Sequence, residues 1–534
     1  MVQGRWVMFG SWSCHMRLPW GERPPPPYGA RMRNRPGLCL LLLLTLAAPA
    51  CTTPLHAPEL DGLYGAAARA ESAERNPVVV IPGVLGSRLA GPGQEPVWGA
   101  FGGGSVSPRE PEGARLLALP MREGEPLAQL TDGVRPDGAL DRVRIRLFGL
   151  PFQQRAYADI LGLLGAGGYL DSTLAAGLEP TGVSDADPAA ATDARGALDW
   201  GEGHYSCFQF AYDWRRDNAE NAALLHRFLL EKRAEVQAER ARRLGGRPED
   251  HGVRFDVIAH SMGGLIARHQ LRYGADPDPG AGVPWSGAPL VNKLVMIGTP
   301  NAGSAEALVN LVEGADFGLF LPGYSPQLLG TMPALYQLLP RARHDALRDA
   351  ETTGRVDPLD PEAWERWGWG LADPDADAQL AVLMPGVADP AERRRVALDH
   401  LRKSLRRAAG FHAALDRPAA PPAGTELFLI AGDAGGTLDV LEVVPSSGGK
   451  LRRHADAPGD GTVTRASALL DERPPADRPG WSPRLRSPLS FAGVTFLHTD
   501  HLGLTRDPAF SDNVLWLLLE RPDPPETPEA PRTR

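Results

Sequence analysis

Cysteine, lysine and basic runs are all scarce in this chain. Of its 534 residues only 4 are cysteines, and lysine occurs only at positions 232, 293, 403 and 450. The cysteines show neither the spacing of a metal site nor that of a disulfide framework. Because the net charge is -9 and no basic block is present, nucleic-acid binding is not expected.

Motifs for metals and nucleotides are also missing. The sequence has no HExxH pair, no paired Cys/His spacing and no GxxxxGK[ST] loop. We therefore expect neither a metal nor any other cofactor. Glycine and proline are plentiful instead, with 60 and 52 residues, a composition typical of proteins from GC-rich bacterial genomes.

One short apolar run lies near the N-terminus. Residues 38–48 read LCLLLLLTLAA, with Arg33 and Arg35 before them and small residues after them, which is the order of a secretory signal. The run is too short to be a comfortable transmembrane helix. Cys51 follows it as in a bacterial lipobox, so residues 1–51 predict either a lipid anchor or simple export. Both outcomes place the mature chain in the periplasm, at a membrane surface or in the medium.

The rest of the chain alternates between apolar β-rich runs and helical patterns. This order is typical of an α/β protein with a mainly parallel sheet flanked by helices, and one of its predicted strands is FQFAYDW at 208–214. The interval 301–423 breaks the alternation and is too long for a loop, so it predicts an inserted lid or cap. Residues 75–300 and 424–520 then form the two parts of the core, and the Pro- and Glu-rich tail 521–534 predicts disorder.

The segment FDVIAHSMGGLIAR, residues 255–268, carries the strongest chemical signal. A β-rich run ends at Ala259, Ser261 follows, and Gly263 opens a helix. This arrangement is typical of the nucleophile elbow of α/β-hydrolases, where the residues two before and two after the serine must be small because larger side chains would block the turn. We therefore predict an α/β-hydrolase fold with Ser261 as the nucleophile. The alternative is a serine that merely caps a helix.

A serine hydroxyl needs a base, and this fold supplies an acid and then a histidine later in the chain. The turn APGDGTV contains Asp460, and Asp433 is the alternative acid because it also follows a predicted strand. His498 and His501 lie between the last predicted strand and the last helix. We prefer His501 as the base because it begins the loop proper, whereas His498 sits at the end of the strand.

The oxyanion that forms during acyl transfer needs backbone donors on two sides. One is the N–H of Met262, directly after the nucleophile. The loop IPGVLGS, residues 81–87, follows the first strong strand and is expected to supply the other from Val84, with Leu85 as the alternate. Alone, this loop would be an ordinary strand-ending turn, but its position ahead of Ser261 favours a functional role.

Five segments recur in order along the chain: VVVIPGVLGSRL (78–89), FAYDWRRD (210–217), VIAHSMGG (257–264), LVMIGTPNAGS (294–304) and GDGTVTRASAL (459–469). Together they resemble the lecithin:cholesterol acyltransferase family, which includes phospholipid:diacylglycerol acyltransferases and lysosomal phospholipase-like enzymes. The resemblance implies Ser261, Asp460 and a C-terminal histidine as a catalytic triad, and acyl-enzyme chemistry on lipid esters. It also implies that Asp213, Trp214 and Arg215 are structural residues near the site.

The sequence thus predicts a serine hydrolase or O-acyltransferase that acts on lipid or other apolar carboxylic esters, with water or an alcohol as acceptor. A Leu/Phe run in the predicted lid, Phe317 with residues 319–321, favours an apolar substrate, although packing within the lid explains it equally well. Two alternatives stay open. One is a non-catalytic, lipid-binding family member, which predicts a broken triad, and the other is an amidase or peptidase on the same fold.

Overall fold

The structure is a computed structural model, and it describes most of the chain between residues 60 and 521. The described residues all lie within one compact unit, Pro58–Arg534. The predicted signal with Cys51, the Leu/Phe run of the predicted lid and the predicted tail beyond residue 521 lie outside them. The described ranges are 60–69, 75–99, 107–139, 142–147, 150–155, 158–166, 168–169, 205–315, 323–454, 457–473 and 485–521.

Strands and helices alternate along most of this length. The strands are β1 (Val78–Ile81), β2 (Ser87–Ala90), β3 (Pro96–Trp98), β4 (Arg135–Ala139), β5 (Arg142–Leu147), β6 (Leu150–Arg155), β7 (Cys207–Gln209), β8 (Phe255–His260), β9 (Val291–Ile297), β10 (Leu347–Asp349), β11 (Glu426–Gly432), β12 (Gly435–Thr437), β13 (Val440–Val444), β14 (Lys450–His454), β15 (Ala457–Gly459) and β16 (Gly493–Leu497). The helices are α1 (Leu60–Arg69), α2 (Pro111–Leu117), α3 (Ala158–Ala166), α4 (Asn218–Leu244), α5 (Met262–Tyr273), α6 (Ala305–Glu313), α7 (Pro326–Gly330), α8 (Pro333–Tyr336), α9 (Pro361–Trp367), α10 (Asp377–Leu383), α11 (Pro390–Leu415), α12 (Arg465–Leu469) and α13 (Pro508–Leu515).

The central sheet has six strands in the order β16-β11-β9-β8-β1-β7. Every neighbouring pair in it runs parallel. Parallel neighbours need crossover connections, which is why helices such as α4 and α5 lie between successive strands in the chain. The carboxyl ends of β8, β9 and β11 therefore meet at one edge of the sheet, where the loops that follow them come together.

Helices cover both faces of this sheet because alternate side chains of each strand point to opposite sides. On one face, Val79 of β1 belongs to the same buried cluster as Leu225 of α4. On the other face, Val80 of β1 is buried with Phe510 of α13. Strands buried on both faces are typical of parallel sheets. The α/β-hydrolase fold predicted from the sequence is confirmed.

A long insertion separates β9 from β11, its neighbour in the sheet. It contains helices α6–α11 and strand β10. Two of its aromatic side chains, Tyr336 and Trp364, are fully enclosed, with their rings 5.6 Å apart. The insertion thus has a packed interior of its own that continues into the main core. Among the described helices, none is both long enough and apolar enough to cross a membrane.

The prediction of a strand over 208–214 was wrong in its extent. β7 ends at Gln209, although Phe210 still donates its N–H to the Val80 carbonyl at 2.9 Å. Beyond that point the chain leaves the sheet, and Tyr212 N–H donates instead to Ser87 Oγ at 3.1 Å. Apolar composition alone does not mark this exit, because Tyr212 and Trp214 are buried against a loop rather than within the sheet.

Candidate active site

Ser261 lies in a sharp turn between β8 and α5. Its backbone has φ 52 and ψ -124, in the left-handed region that residues with a side chain rarely adopt. Its N–H donates to the Ile297 carbonyl of β9 at 2.7 Å, which ties the turn to the neighbouring strand. Such strain costs on the order of 1–3 kcal/mol and persists only where the surroundings enforce it. This geometry is that of a nucleophile elbow rather than of a simple helix cap, and the Ser261 side chain makes no capping hydrogen bond.

Two glycines make room for the turn, Gly263 two residues after the serine and Gly83 in the loop after β1. A Cβ added to Gly263 would lie 2.5 Å from the Pro82 carbonyl oxygen, so no larger residue fits there without moving backbone. A Cβ added to Gly83 would lie 2.8 Å from the Cβ of Ser261. The loop after β1 therefore packs directly against the nucleophile, as expected for a loop that contributes to the site.

His501 and Asp460 complete a hydrogen-bonded chain with Ser261. His501 Nε2 is 3.1 Å from Ser261 Oγ, and His501 Nδ1 is 2.7 Å from Asp460 Oδ2. A carboxylate can only accept, so Nδ1 carries the proton and Nε2 is left to accept from the serine hydroxyl. The three residues lie 240 and 41 positions apart in the chain, and only the fold brings them together.

Asp460 is held firmly in its turn. Its side chain is 1% exposed, and Oδ1 accepts the N–H groups of Thr462 at 2.9 Å and Val463 at 2.6 Å. The Asp460 carbonyl also accepts the His501 N–H at 2.9 Å. Both carboxylate oxygens are thus satisfied by named donors, which fixes Oδ2 toward the imidazole. A buried, hydrogen-bonded carboxylate in this position stabilises the imidazolium that forms when a histidine takes up a proton.

The alternate acid and base lie in a separate group. His498 is exposed, and its Nδ1 is 3.3 Å from the carbonyl oxygen of Asp433. The Asp433 carboxylate pairs with Arg465 at 3.2 Å. Neither residue takes part in the hydrogen-bonded chain of Ser261. Geometry therefore favours Asp460 over Asp433 and His501 over His498.

His260, directly before the nucleophile, is a buried neighbour of His501. The two imidazole rings lie 5.1 Å apart. Burial, with a smaller contribution from nearby His501, lowers the pKa of His260 to about 3. The ring is therefore neutral at ordinary pH and packs beside the candidate base without competing for its proton.

The predicted oxyanion donors belong to two segments, the start of α5 and the loop after β1. Met262 is the first residue of α5, where backbone N–H groups have no acceptor within the helix. Val84 and Leu85 lie in a turn closed by a hydrogen bond from Gly86 N–H to the Gly83 carbonyl at 3.0 Å. Leu85 has φ 61, so the turn is strained like the elbow it faces. The turn begins at Gly83, which packs against Ser261, so Val84 and Leu85 follow directly on the contact with the nucleophile.

Sequence reasoning missed the side chains that brace this turn. Tyr212 Oη donates to the Pro82 carbonyl at 2.8 Å, and Trp98 Nε1 donates to the Leu85 carbonyl at 2.8 Å. Both rings are buried. Tyr212 stands in the FAYDWRRD segment that carries the family resemblance, which was a signal for it, whereas Trp98 had none. They hold the backbone of the loop whose N–H groups are the candidate donors.

The neighbouring Asp213 and Arg215 form a buried ion pair. Arg215 donates from Nε to Asp213 Oδ1 at 2.9 Å and from Nη2 to Asp213 Oδ2 at 2.8 Å. A second carboxylate, Asp132, lies 2.8 Å from Arg215 Nη1. These contacts agree with the structural role that the resemblance implied for this segment. Within the described ranges, no group of histidine, cysteine, aspartate or glutamate side chains is arranged to hold a metal ion.

Comparisons with known proteins agree with part of this picture. Residues 200–353, under half of the chain, match the family model of lecithin:cholesterol acyltransferase. No curated protein matches the chain. A chain in the crystal structure of the Tle4-Tli4 complex is similar at 15% sequence identity and a TM-score of 0.46, over 84% of this chain and 98% of that one. A likeness this weak supports no conclusion. The predicted resemblance to the lecithin:cholesterol acyltransferase family is thus confirmed over residues 200–353, the part that carries Ser261.

Proposed function

We propose that this protein is a serine acyl hydrolase or O-acyltransferase that acts on lipid or other apolar carboxylic esters. The observation that carries the proposal is the chain from Ser261 Oγ to His501 Nε2 at 3.1 Å and from His501 Nδ1 to Asp460 Oδ2 at 2.7 Å. The strained turn at Ser261 adds support because it presents the hydroxyl at the sheet edge. The family match over residues 200–353 supports acyl transfer from lipid esters.

In the first half of the reaction His501 acts as general base. Its Nε2 takes the hydroxyl proton as Ser261 Oγ attacks the ester carbonyl carbon, and the carbonyl electron pair moves onto oxygen. The N–H of Met262 and one N–H of the turn at Val84 and Leu85 hold this oxyanion. The tetrahedral intermediate collapses, and the alcohol leaves with the proton that His501 returns to it. The acyl group is then esterified to Ser261.

In the second half an acceptor enters in place of the alcohol. His501 deprotonates water or an acceptor alcohol, which attacks the acyl carbonyl and releases Ser261. Water gives a hydrolase and an alcohol gives a transferase. We propose that the insertion between β9 and β11 acts as the lid that governs this choice, because it follows directly on the strand next to the nucleophile.

Active-site labelling tests the proposal. An alkyl fluorophosphonate forms a covalent bond only with an activated serine, so the wild type is expected to be labelled and Ser261→Ala is not. Ser404→Ala serves as the matched control, since Ser404 is also buried but lies in α11, outside the triad. Equal labelling of wild type and Ser261→Ala would exclude the proposal and favour the non-catalytic, lipid-binding alternative.

A substrate panel then separates the enzyme classes. Phospholipids and fatty-acid esters of increasing chain length, with and without sterol or diacylglycerol acceptors, are expected to be turned over in preference to amide or peptide substrates. Preferential cleavage of amides would favour the amidase or peptidase alternative. Appearance of an acylated acceptor in place of free fatty acid would identify a transferase.

We also propose that the chain is exported and attached to a membrane surface through lipidated Cys51. Support comes from the sequence, where the short apolar run at residues 38–48 is followed by Pro49 and Ala50 and then by this cysteine. Labelled palmitate is expected to be incorporated into the wild type expressed in a bacterium, and Cys51→Ser is expected to lose the label. A wild type that is exported without incorporating the label would point to an ordinary signal peptide.

A further inference from the structure

The segment that follows β9, residues 298–304 (GTPNAGS), contacts the helix after Ser261, the chain after Asp460 and the ring of His501. In the sequence this segment is part of the family resemblance, which implies no role for it. It begins at the end of β9, which lies in the sheet between β8, the strand before Ser261, and β11. Its side chains and backbone are buried, with Asn301 at 0% exposure.

On the nucleophile side, the segment is bonded to α5. Asn301 Oδ1 accepts from Arg268 Nη1 at 2.8 Å, and Arg268 is two turns along the helix that begins after Ser261. Thr299 packs against the same helix so tightly that a Cβ added to Gly264 would lie 2.0 Å from Thr299 Oγ1. The start of α5, and with it the elbow, rests on this segment.

On the acid side, the same segment is bonded to the chain that follows Asp460. Asn301 Nδ2 donates to the Ala468 carbonyl of α12 at 2.7 Å. Ser304 Oγ donates to the Thr462 carbonyl at 2.7 Å, only two residues beyond Asp460. A single carboxamide therefore bonds with one atom to the helix after the nucleophile and with the other to the helix after the acid.

On the base side, the segment begins against the imidazole. Gly298 has φ 54, and a Cβ placed on it would lie 3.0 Å from Cε1 of His501. No larger side chain fits at this position without displacing the ring. The spacing of the three triad members is thus set around one short stretch of chain.

We propose that Asn301 is a positioning residue whose carboxamide sets the distance between the α5 helix that follows Ser261 and the segment that carries Asp460. It acts through Asp460 on His501, and the inference rests on the proposed function because the spacing matters only if these residues form a triad. An amide suits this place because it offers one acceptor and one donor in a rigid plane. A displacement of about 1 Å in such a constellation can lower the rate by about a hundredfold.

One substitution can break the bond from Asn301 to Ala468 and keep the bond to Arg268, because Arg268 accepts a carboxylate as a partner. The Arg268 guanidinium bonds to Asn301 Oδ1 and to the Leu415 carbonyl, both uncharged, at 2.8 Å each. Burial, followed by the nearby charge of Arg272, lowers the pKa of Arg268 to about 9. Asn301→Asp keeps the acceptor and gives Arg268 a counter-charge, but it replaces the donor to Ala468 with a second oxygen. The substitution therefore breaks the acid-side bond while preserving the nucleophile-side bond.

The test compares Asn301→Asp with a matched control, Asn221→Asp. Asn221 is equally buried and donates from Nδ2 to the Asp213 carbonyl at 3.0 Å, but it lies in α4, which carries no triad residue. For Asn301→Asp we expect kcat per folded molecule to fall about 10- to 100-fold with KM unchanged, and the thermal midpoint to fall no more than in Asn221→Asp, which also exchanges a buried donor for an oxygen. For Asn221→Asp we expect kcat per folded molecule to stay at the wild-type value.

Two further measurements separate positioning from simple loss of stability. The downfield proton resonance of the His501–Asp460 hydrogen bond is expected in the wild type and in Asn221→Asp, and to shift or disappear in Asn301→Asp. In an Asp460→Asn background, Asn301→Asp is expected to change kcat less than about twofold, because the acid it positions is already inactive. An equal loss of kcat in both backgrounds, or an unchanged resonance, would overturn the inference. Failure of the proposed function looks different, since Ser261→Ala would then label like the wild type while the resonance still reports the spacing.

Discussion

The nucleophile half and the acid–base half of the site are built in different ways. Ser261 is placed by consecutive residues, where β8 runs into a strained turn and α5 begins at once. Asp460 and His501 sit in turns whose positions depend on residues far away in the chain, through Asn301 and Thr437. Thr437 Oγ1, for example, accepts the Gly461 N–H at 2.9 Å. The nucleophile half is held mainly by steric restriction in a strained turn, and the acid–base half mainly by hydrogen bonds, some of them to residues far away in the chain.

This difference determines how each half responds to change. The tightly packed turn at Ser261 has no room for an added atom. The turn at Asp460 is held by several hydrogen bonds, so it tolerates an added methyl group but not the loss of the carboxylate charge. Strain is concentrated at Ser261, while redundancy is concentrated at Asp460, which accepts three backbone N–H groups as well as His501 Nδ1. The following variants probe the two halves in turn.

The largest effect is expected from Ser261→Ala, which removes the hydroxyl proposed to form the acyl-enzyme. Loss of a triad nucleophile costs about 10⁴- to 10⁶-fold in kcat. The free energy of unfolding should change little, because alanine occupies the same strained backbone. Ester hydrolysis and denaturant unfolding measured side by side check both statements. An activity loss that is matched by unfolding would show that the residue acts on the fold instead.

A comparable loss is expected from Asp460→Asn, set against Asp433→Asn. The amide keeps the shape of the acid but leaves His501 in the wrong tautomer, which costs about 10⁴-fold in kcat in such triads. Asp433 pairs only with exposed Arg465, so its replacement should leave kcat within about twofold. Steady-state kinetics on both variants decide the matter. A larger loss of kcat in Asp433→Asn than in Asp460→Asn would identify Asp433 as the acid and contradict the assignment of Asp460 to the acid–base half.

Two glycines compare the tolerance of the two halves. Gly263→Ala places a Cβ 2.5 Å from the Pro82 carbonyl oxygen, so backbone must move and the free energy of unfolding should fall by about 1–3 kcal/mol or more. Gly461 has φ +86 and open space around it, so Gly461→Ala should cost only about 1 kcal/mol of backbone strain. Urea denaturation measures both. Equal losses would mean that the elbow is no more tightly packed than the acid turn.

At neutral pH no effect on stability is expected from the titration of His260, which lies where the two halves touch, and its effect appears only in acid. Burial, then His501, lowers its pKa from 6.5 to about 3, so the unfolded chain binds a proton that the folded chain refuses. This group's contribution to stability is therefore full above pH 6.5 and is lost progressively as the pH drops toward 3. His260→Gln should make the slope of the free energy of unfolding against pH shallower over that range. A slope that does not change in a urea series between pH 6 and 4 would contradict the burial argument.

The comparison also explains what the sequence could predict. The elbow was recognisable because its requirements, a strand, a serine and small residues on both sides, fall within a few consecutive positions. The order of Ser261, Asp460 and His501 followed from the fold once the elbow was found. Asn301, Thr437 and Trp98 were not predictable, because their roles arise only where distant strands end side by side. The end of β7 at Gln209 was not predictable for the same reason. The aromatic residues continue beyond it, but Tyr212 and Trp214 bond to Ser87 instead of to a strand of the central sheet.

The central claim is that Ser261 carries the acyl group, and trapping the acyl-enzyme tests it most directly. The wild type is mixed with an activated fatty-acid ester, quenched in acid within the first turnover, and digested for mass spectrometry. We predict one acyl group per chain on the peptide that contains Ser261, and none in Ser261→Ala. Turnover without an adduct, or an adduct on another residue, would contradict the account.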